Sequence, residues 1–321
     1  MAPRYSREWL DYFIPETVDW RADGMPDTSR AVMKNLVGPR STYPHGVPDG
    51  ALVLRYEGFA SYKRMQELAD NPLAGRFDLP HFQSIHHHLF QDVYPWAGHL
   101  RTAPRDWPMV KMGPDVAAVR AGQNHVTEIP HSYFTAREVP EAAAAVLDRI
   151  AAKDNLRGLG RAAFLDELTT VWSRINFVHP MREGNTRVQF AFFRQLCAEA
   201  GYTLDTNRFK DVDRAELDKH PMVGDLREQF VWGRFEYMQT GETQLMREAL
   251  DSAICEAGDS FAVGPIIDRG VEVSALSAAM LGHLQSARSR LGNRSSPRDS
   301  PEQAASVEPD CPRLSGFDRG L

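Results

Sequence analysis

Two apolar helical segments joined by a short polar turn constrain the fold of this chain most strongly. In RAAFLDELTTVWSRINFVHP, the residues Leu168, Val171, Trp172 and Ile175 recur at helical spacing, which is typical of a buried or half-buried helix. The segment RVQFAFFRQLCAEAGY predicts a second apolar helix that stops at Gly201. Since strand signals are few elsewhere, the sequence predicts an all-α fold.

The other segments continue this helical pattern between loops. Apolar spacing, capping residues and stop signals predict helices over residues 27–38, 54–72, 79–94, 115–129 and 141–156, with one or two more over 226–257. Residues 99–113 break the pattern and indicate a short hairpin or an extended loop. We expect residues 1–50 to form a lead of helix and loop, 51–255 the main domain, 256–291 a helical extension, and 292–321 a disordered tail.

Composition excludes several classes of protein. The 321 residues carry a formal net charge of -6, which gives no overall attraction to nucleic acid. Three well-separated cysteines form no CxxC pair, so a reducing cytoplasm is expected. The N-terminus has charges where a signal peptide needs its apolar run, and no stretch is long and apolar enough to span a membrane.

The turn between the two apolar helices, NFVHPMREGNTRVQF, concentrates polar chemistry. The backbone amides that open its second helix attract anions, and Gly184 and Arg187 suit close phosphate binding. Glu183 offers the oxygen ligand that Mg²⁺ takes beside phosphates, and His179 offers a general base. Taken singly, each part also has an ordinary interpretation as a helix stop or a solvated turn. Together they indicate a polyphosphate site.

The turn and its surroundings resemble a known family. HPMREGNTR is similar to the signature of the Fic family: His, Pro, Phe, any residue, Asp or Glu, Gly-Asn-Gly-Arg, and a further arginine three residues on. FDLPHFQSIHHHLFQDVYPWAGHLRT and FFRQLCAEAGYTLD resemble the family's segments before and after that signature. The resemblance covers roughly residues 54–254 and implies a Fic-like helical bundle with a short β-hairpin flap.

The resemblance also implies an activity, the transfer of AMP from ATP to a Ser, Thr or Tyr hydroxyl of a target protein. His179 would deprotonate that hydroxyl, and Glu183 would bind Mg²⁺ on the phosphates. The nucleotide-binding residues would be Gly184, Asn185 and Thr186, which form an anion hole, and Arg187, which holds the β- and γ-phosphates.

The chain departs from the family pattern at three positions. Met181 replaces a Phe that anchors the turn, and Thr186 replaces the second Gly of the signature. Phe190 replaces the second arginine, which in the family helps to hold the γ-phosphate and pairs with an inhibitory glutamate. No inhibitory helix of the usual pattern is found, so we expect either a separate antitoxin-like inhibitor or none.

The resemblance places a target-binding flap at about residues 100–112, where Arg105, Trp107 and Lys111 would form a basic, aromatic tip that binds an extended target segment. An ordinary surface hairpin is the alternative. His86, His87 and His88 are consecutive on a predicted helix, so they diverge, and core or surface roles are favoured over a metal site.

Three functions follow as hypotheses. The first is a protein adenylyltransferase, acting as a toxin or an effector, with ATP as substrate and Mg²⁺ as cofactor. The second is a Fic-fold enzyme with another donor or with phosphotransfer activity, which Thr186 and Phe190 motivate. The third is a catalytically weak domain that binds a partner peptide. All three predict a protein partner and no direct contact with nucleic acid or membrane.

Overall fold

A computed structural model describes residues 7–209 and 226–257 of the chain. Its helices are α1 (Arg7–Leu10), α2 (Gly50–Asp70), α3 (Leu79–Phe90), α4 (Val116–Arg120), α5 (Val139–Ala152), α6 (Arg161–Val178), α7 (Asn185–Glu199), α8 (Leu226–Thr240) and α9 (Gln244–Ala253). Its strands form antiparallel pairs: β1 (Asp19–Trp20) with β2 (Pro26–Asp27), β3 (Val110–Pro114) with β4 (Glu128–Ser132), and β5 (Tyr202–Leu204) with β6 (Ile254–Glu256). The predicted all-α class with a short hairpin is confirmed.

Helices α6 and α7 form the centre of the core, as their apolar stripes predict. Trp172 on α6 is fully buried and stacks on Phe193 of α7, with ring centroids 4.3 Å apart. Its indole N–H donates to Oε1 of Gln189 at 3.1 Å, which satisfies the one polar atom of that ring. The two helices are therefore packed firmly together on both sides of the polar turn that joins them.

Local capping residues fix where the helices begin and end. The Asp49 side chain accepts from the N–H of Leu52 at the start of α2, and Asp78 accepts from His81 at the start of α3. Caps of this kind typically stabilise by about 1 kcal/mol each. At the end of α7 the chain turns at Gly201, whose φ of +86° is the left-handed conformation expected of a glycine stop.

The helix predicted over residues 27–38 is wrong, because long-range backbone bonds hold this segment extended. The N–H of Lys34 donates to the carbonyl oxygen of Tyr12, and that of Leu36 donates to Val93, both at 2.8 Å. A short segment that finds such partners has no need of intrahelical bonds. The lead is thereby tied to the segment that follows α3.

The hairpin lies later in the chain than expected. Only the last residues of the 99–113 segment form a strand, β3, and its partner β4 lies within and beyond residues 115–129, which were predicted to be helical. The helix in that region is only α4, and the chain breaks at Gly122, where φ is +96°. At Gly113 an added Cβ would come within 2.4 Å of the Phe235 ring, so the hairpin packs closely on α8.

The main domain predicted over 51–255 contains the elements from α2 to β6, and its limits stay a prediction. The helical extension predicted over 256–291 falls, apart from its first two residues, outside the described part of the chain, as does the tail predicted over 292–321. Cys197 and Cys255 are both buried as thiols. Among the described helices, none combines the length and the apolar character needed to cross a bilayer.

Candidate active site

His179 lies at the end of α6, where the chain leaves the helix. Its backbone is left-handed, with φ of +52°, and its N–H still donates to Ile175 at 3.0 Å. Such a conformation costs a residue other than glycine about 1 kcal/mol or more, so its surroundings must hold it. The imidazole, half-buried, packs against the ring of Tyr133, with centroids 4.3 Å apart. Tyr133 directly follows β4, so the base of the hairpin lies beside His179.

Arg101 holds the carbonyl groups at this helix end. Its Nε donates to the carbonyl oxygen of His179 at 2.7 Å, and its guanidinium also donates to Val178 and Phe134. A cation at a helix C-terminus is favourable because the carbonyl dipoles point toward it. Burial lowers the pKa of Arg101 to about 10, which leaves the guanidinium protonated at neutral pH.

Asn185 closes the turn between α6 and α7. Its Oδ1 accepts from the N–H of Met181 at 2.9 Å, and its Nδ2 donates to the Met181 carbonyl oxygen at 2.8 Å. Met181 itself is fully buried, in keeping with its expected role of filling the anchor position. The side-chain amide of Asn185 thus shapes the turn, and its backbone N–H is the group that it presents at the start of α7.

Gly184 is the N-cap of α7 and has no room for a side chain. Its φ is +73°, and an added Cβ would lie 2.2 Å from the ring of Phe90 on α3. The first intrahelical bond of α7 runs from Val188 to Gly184, so the amides of residues 185–187 have no acceptor within the helix. Glu183, half-buried, places Oε1 3.2 Å from the Gly184 N–H. A carboxylate and a helix N-terminus therefore meet at this point.

Arg187 reaches toward α2 rather than along its own helix. Its guanidinium donates to the Glu57 carboxylate and, at 2.9 Å, to Oγ of Ser61. It also lies over the ring of Phe90, 4.6 Å from the centroid. The hydroxyl of Tyr94 donates to the other oxygen of Glu57 at 2.6 Å. The arginine predicted to bind phosphate is thus already fixed in direction by a buried carboxylate.

Thr186 and Phe190, the two departures in α7, have different surroundings. Thr186 lies in the first helical turn and accepts, through Oγ1, a hydrogen bond of 3.0 Å from Nη1 of Arg234 on α8. Phe190 is buried among aromatic rings, with centroids 5.0 Å from Trp172 and 5.2 Å from Phe230. Phe190 therefore belongs to the core, whereas Thr186 faces a guanidinium.

Arg182 anchors the turn to the N-terminal lead. Its guanidinium carbon lies 4.5 Å from the ring centroid of Trp9, 5.3 Å from that of Tyr12 and 5.6 Å from that of Phe13. Buried contacts of a cation with aromatic faces stabilise by about 1–2 kcal/mol. Burial lowers the pKa of Arg182, and the nearby Glu183 carboxylate opposes that shift.

His86 supports the turn from α3. It is completely buried, Nδ1 accepts from the N–H of Gly98 at 2.8 Å, and Nε2 lies 3.0 Å from the carbonyl oxygen of Glu183. Burial lowers its pKa to about 3, so the ring is neutral and its proton sits on Nε2. His87 instead contacts Ala97. In the described residues no cluster of three or more His, Cys, Asp or Glu side chains could hold a metal ion.

The three residues predicted for the flap do not lie together on the hairpin. Lys111 is on β3, opposite His131 of β4. Arg105, which is exposed, and Trp107, which is half-buried, belong to the irregular segment before β3. Of the three, the structure brings only Lys111 onto the strand pair.

Sequence reasoning missed four side chains that support the turn, namely Glu57, Arg101, Tyr133 and Arg234. It gave the fifth, His86, a core or surface role without connecting it to the turn. The five side chains come from five separate segments, and no spacing rule connects them with the turn. One signal was available in α2, where Glu57 stands at helical spacing from Val53 and Ala60 on the buried face. A carboxylate on an apolar face needs a cation or a donor, and here it finds Arg187.

Comparisons with known proteins identify relatives of this chain. A family model described as the Fic/DOC family matches residues 76–197. The probable protein adenylyltransferase y4lH of Sinorhizobium fredii is 32% identical over 154 residues, which are 47% of this chain and 69% of that protein. The protein adenylyltransferase VbhT of Bartonella schoenbuchensis is 32% identical over 206 residues, 64% of this chain, but the match spans only 37% of that protein's length.

Solved structures show the same fold at lower identity. The N-terminal Fic domain of a Bartonella effector protein from Bartonella sp. AR 15-3 has a TM-score of 0.55 at 21% identity, and the match covers 78% of this chain and 94% of that one. The N-terminal Fic domain of a cell filamentation protein from Bartonella quintana, with bound ADP, has a TM-score of 0.52 at 20% identity. That match covers 71% of this chain and 92% of the other.

Proposed function

Because this chain belongs to the Fic/DOC family, we propose that it is a protein adenylyltransferase that moves AMP from ATP to a hydroxyl side chain of a target protein. One observation carries the proposal. A single turn, held by α2, α3 and the N-terminal lead, presents His179, the Glu183 carboxylate and the N-terminus of α7 together. The relatives named protein adenylyltransferase support the same activity.

The reaction uses these groups as follows. Nitrogen of His179 takes the proton of a Ser, Thr or Tyr hydroxyl, and the hydroxyl oxygen bonds to the α-phosphorus of ATP. The bond between the α-phosphorus and the bridging oxygen breaks, and pyrophosphate leaves with the electron pair. The amides at the start of α7 and the Arg187 guanidinium stabilise the negative charge on the phosphates.

The residues present fit a magnesium ion that arrives with the nucleotide. Mg²⁺ is usually bound by one or two carboxylates together with substrate phosphates, and Glu183 supplies one carboxylate at the helix N-terminus. When bound, the ion neutralises phosphate charge.

Target binding is assigned to the β3–β4 hairpin. Tyr133 connects its end to His179, so a target segment along the hairpin would bring a hydroxyl toward the base. Lys111 on β3 adds a positive charge there. A toxin or effector role, a separate inhibitor chain and a cytoplasmic location stay predictions.

The test is labelling of a lysate of the source organism with α-labelled ATP and Mg²⁺, followed by mass spectrometry of labelled proteins. His179→Ala should reduce labelling by about 10²–10⁴-fold, the usual contribution of a general base. Arg149→Met, which changes a half-exposed arginine of α5 that pairs with Glu167 of α6, should leave labelling unchanged. Equal labelling by wild type and His179→Ala would refute the proposal.

Further nucleotides separate the alternatives. Label transferred only from γ-labelled ATP or from α-labelled UTP would indicate another donor or phosphotransfer, which Thr186 and Phe190 motivate. Binding of Mg-ATP without transfer of any label to protein would favour a binding module.

A further inference from the structure

Arg101 joins the segment that leaves the β3–β4 hairpin to the helix end that carries His179. Its side chain is fully buried, and its partners are main-chain carbonyl groups. Nε donates to the carbonyl oxygen of His179 at 2.7 Å, and Nη2 donates to that of Val178 at 3.3 Å and to that of Phe134. Phe134 lies two residues beyond β4, whereas Val178 is the last residue of α6. One guanidinium therefore contacts two separate parts of the candidate site.

The main chain of Arg101 binds the same turn. Its N–H donates to the carbonyl oxygen of Pro180 at 2.9 Å, and its neighbour Leu100 forms an antiparallel bridge with Met181. Side chain and main chain together bind three consecutive carbonyl groups, those of residues 178–180. Carbonyl groups at the end of a helix have no donor within the helix, so they need partners of this kind. Arg101 thereby fixes the backbone at the point where the chain leaves α6.

The shape of the guanidinium suits an arginine to this position. Nε and Nη2 lie on one edge of a rigid plane, so their hydrogen bonds set the separation between the carbonyl groups of His179 and Phe134. In the described part of the chain, no carboxylate lies within ion-pair distance of Arg101. A buried cation without such a partner lowers stability, and departures of this kind are expected mainly at functional sites.

The contact with Phe134 is important because the preceding residue, Tyr133, packs on the proposed base. The ring centroids of Tyr133 and His179 are 4.3 Å apart, and the Tyr133 N–H donates to the carbonyl oxygen of Met109 at 2.8 Å. Met109 directly precedes β3. The end of the hairpin and the imidazole are thus adjacent, and Arg101 binds the main chain of both segments.

We infer that Arg101 is a positioning residue for AMP transfer, which sets the place of the His179 imidazole relative to the β3–β4 hairpin. The inference rests on the proposed function, in which His179 takes the proton of a hydroxyl on a target segment bound along the hairpin. A displacement of about 1 Å between reacting groups can reduce a rate by about 10²-fold. The proposed nucleotide contacts, at the start of α7 and on Arg187, do not include Arg101. Its loss should therefore slow the transfer step and spare nucleotide binding.

Transfer rates and nucleotide affinities of matched variants test this role. Arg101→Met should slow transfer of label from saturating α-labelled Mg-ATP by about 10- to 100-fold, and calorimetric titration should give the wild-type affinity for Mg-ATP. Arg101→Lys keeps the charge but loses the planar edge, so it should recover only part of the rate. Arg161→Met is the control, because it removes a guanidinium at the first residue of α6 that also donates to two main-chain carbonyl groups. It should transfer AMP like wild type.

A nuclear magnetic resonance measurement reports on the same geometry without any substrate. Protein with isotope-labelled histidine and tyrosine rings should show a nuclear Overhauser effect between Tyr133 and His179, whose signals are identified by their loss in Tyr133→Phe and His179→Ala. The effect should weaken in Arg101→Met and persist in Arg161→Met. A general loss of stability would not change this one contact in the folded protein.

Three results would overturn the inference. They are a wild-type transfer rate in Arg101→Met, an equal loss of transfer and of Mg-ATP affinity, and an unchanged contact between Tyr133 and His179 in that variant. If Arg101→Met does not fold, Arg101→Lys takes its place, with an expected loss of about 3- to 10-fold in rate. A wild-type protein that transfers AMP at the same rate as the variant would refute this inference alone. A wild-type protein that labels no target would refute the proposed function, and this inference with it.

Discussion

Nε2 of His86 donates to the main-chain carbonyl oxygen of Glu183, 3.0 Å away, and so links the buried face of α3 to the turn that carries the candidate catalytic groups. The hydrogen bond from Gly98 to Nδ1 leaves this ring only one tautomer. Protonation of Nδ1 would remove that acceptor, because the nitrogen would become a donor facing another donor. The link therefore depends on a neutral imidazole.

A loss of stability in mild acid is the first prediction. Burial lowers the pKa of His86 from 6.5 to about 3, so below pH 6.5 the unfolded chain binds a proton that the folded chain does not. The contribution is complete above pH 6.5 and is lost as the pH falls from there toward 3. The resulting decrease in the free energy of unfolding, relative to neutral pH, is about 2 kcal/mol at pH 5.

Urea unfolding at pH 7.5 and pH 5.0 measures this effect. His86→Gln removes the titrating group, so its two unfolding free energies should differ by about 2 kcal/mol less than those of wild type. His125→Gln, at an exposed histidine, should keep the wild-type difference. An unchanged pH dependence in His86→Gln would show that this ring does not titrate as described.

Removal of the Asn185 side chain should open the turn. Asn185→Ala leaves the N–H and the carbonyl oxygen of buried Met181 without these partners, which costs about 1–3 kcal/mol for each group. We expect a lower melting temperature and a large loss of AMP transfer. Asn207→Ala, at an exposed asparagine, is the control. Wild-type stability in Asn185→Ala would mean that the turn keeps its conformation without the two hydrogen bonds between the Asn185 side chain and Met181.

A pair of glycine substitutions separates backbone strain from steric overlap. Gly184→Ala combines a φ of +73° with a Cβ 2.2 Å from Phe90, whereas Gly158→Ala has a φ of +69° and no atom within 4 Å. In both variants the free energy of unfolding should fall by about 1 kcal/mol because of backbone strain. Gly184→Ala should lose a further 1–3 kcal/mol, about the usual cost of overpacking. Chemical denaturation decides, and equal losses would argue against the Phe90 contact.

The ion pair between Glu57 and Arg187 should couple α2 to α7. Glu57→Ala leaves a largely buried guanidinium without its carboxylate, which costs about 3–5 kcal/mol. Arg187→Ala should also destabilise, but the double variant should lose less than the sum of the single ones. A thermodynamic cycle of the four proteins gives the coupling energy. Additive losses would mean that the two side chains do not interact in solution.

The centre of the fold follows from local sequence signals. The apolar stripes of α6 and α7, the stop at Gly201 and the polar turn between the two helices all depend on neighbouring residues, so spacing alone predicts them. The segment from Val116 also begins with helical spacing, yet only five residues form α4, because the chain then turns at Gly122 and pairs with β3. The pairing of β3 with β4 joins residues that are well separated in the sequence, so a local pattern of apolar residues does not predict it.

The supporting side chains could not be predicted for a related reason. Arg101 caps α6 from a distance of 77 and 78 residues, and Arg234 reaches Thr186 across 48. Only the packing of helices brings such groups together. Asn185 shows the limit in another way, since its type and position were predicted to matter, whereas the two hydrogen bonds between its side chain and Met181 were not predicted.

The three aromatic rings that surround Arg182 determine how much of the chain is needed to hold the turn in place. The family match begins at residue 76. The contacts of Arg182 in the turn, however, are with Trp9, Tyr12 and Phe13, far upstream of that residue. Arg187 likewise forms its ion pair with Glu57 on α2, which also precedes the match. A fragment that begins at the edge of the family match would keep His179 but would lose the aromatic contacts of Arg182 and the ion pair of Arg187. The smallest portion that preserves the geometry therefore reaches back to α1, and the limits of the family match alone would place that boundary too late.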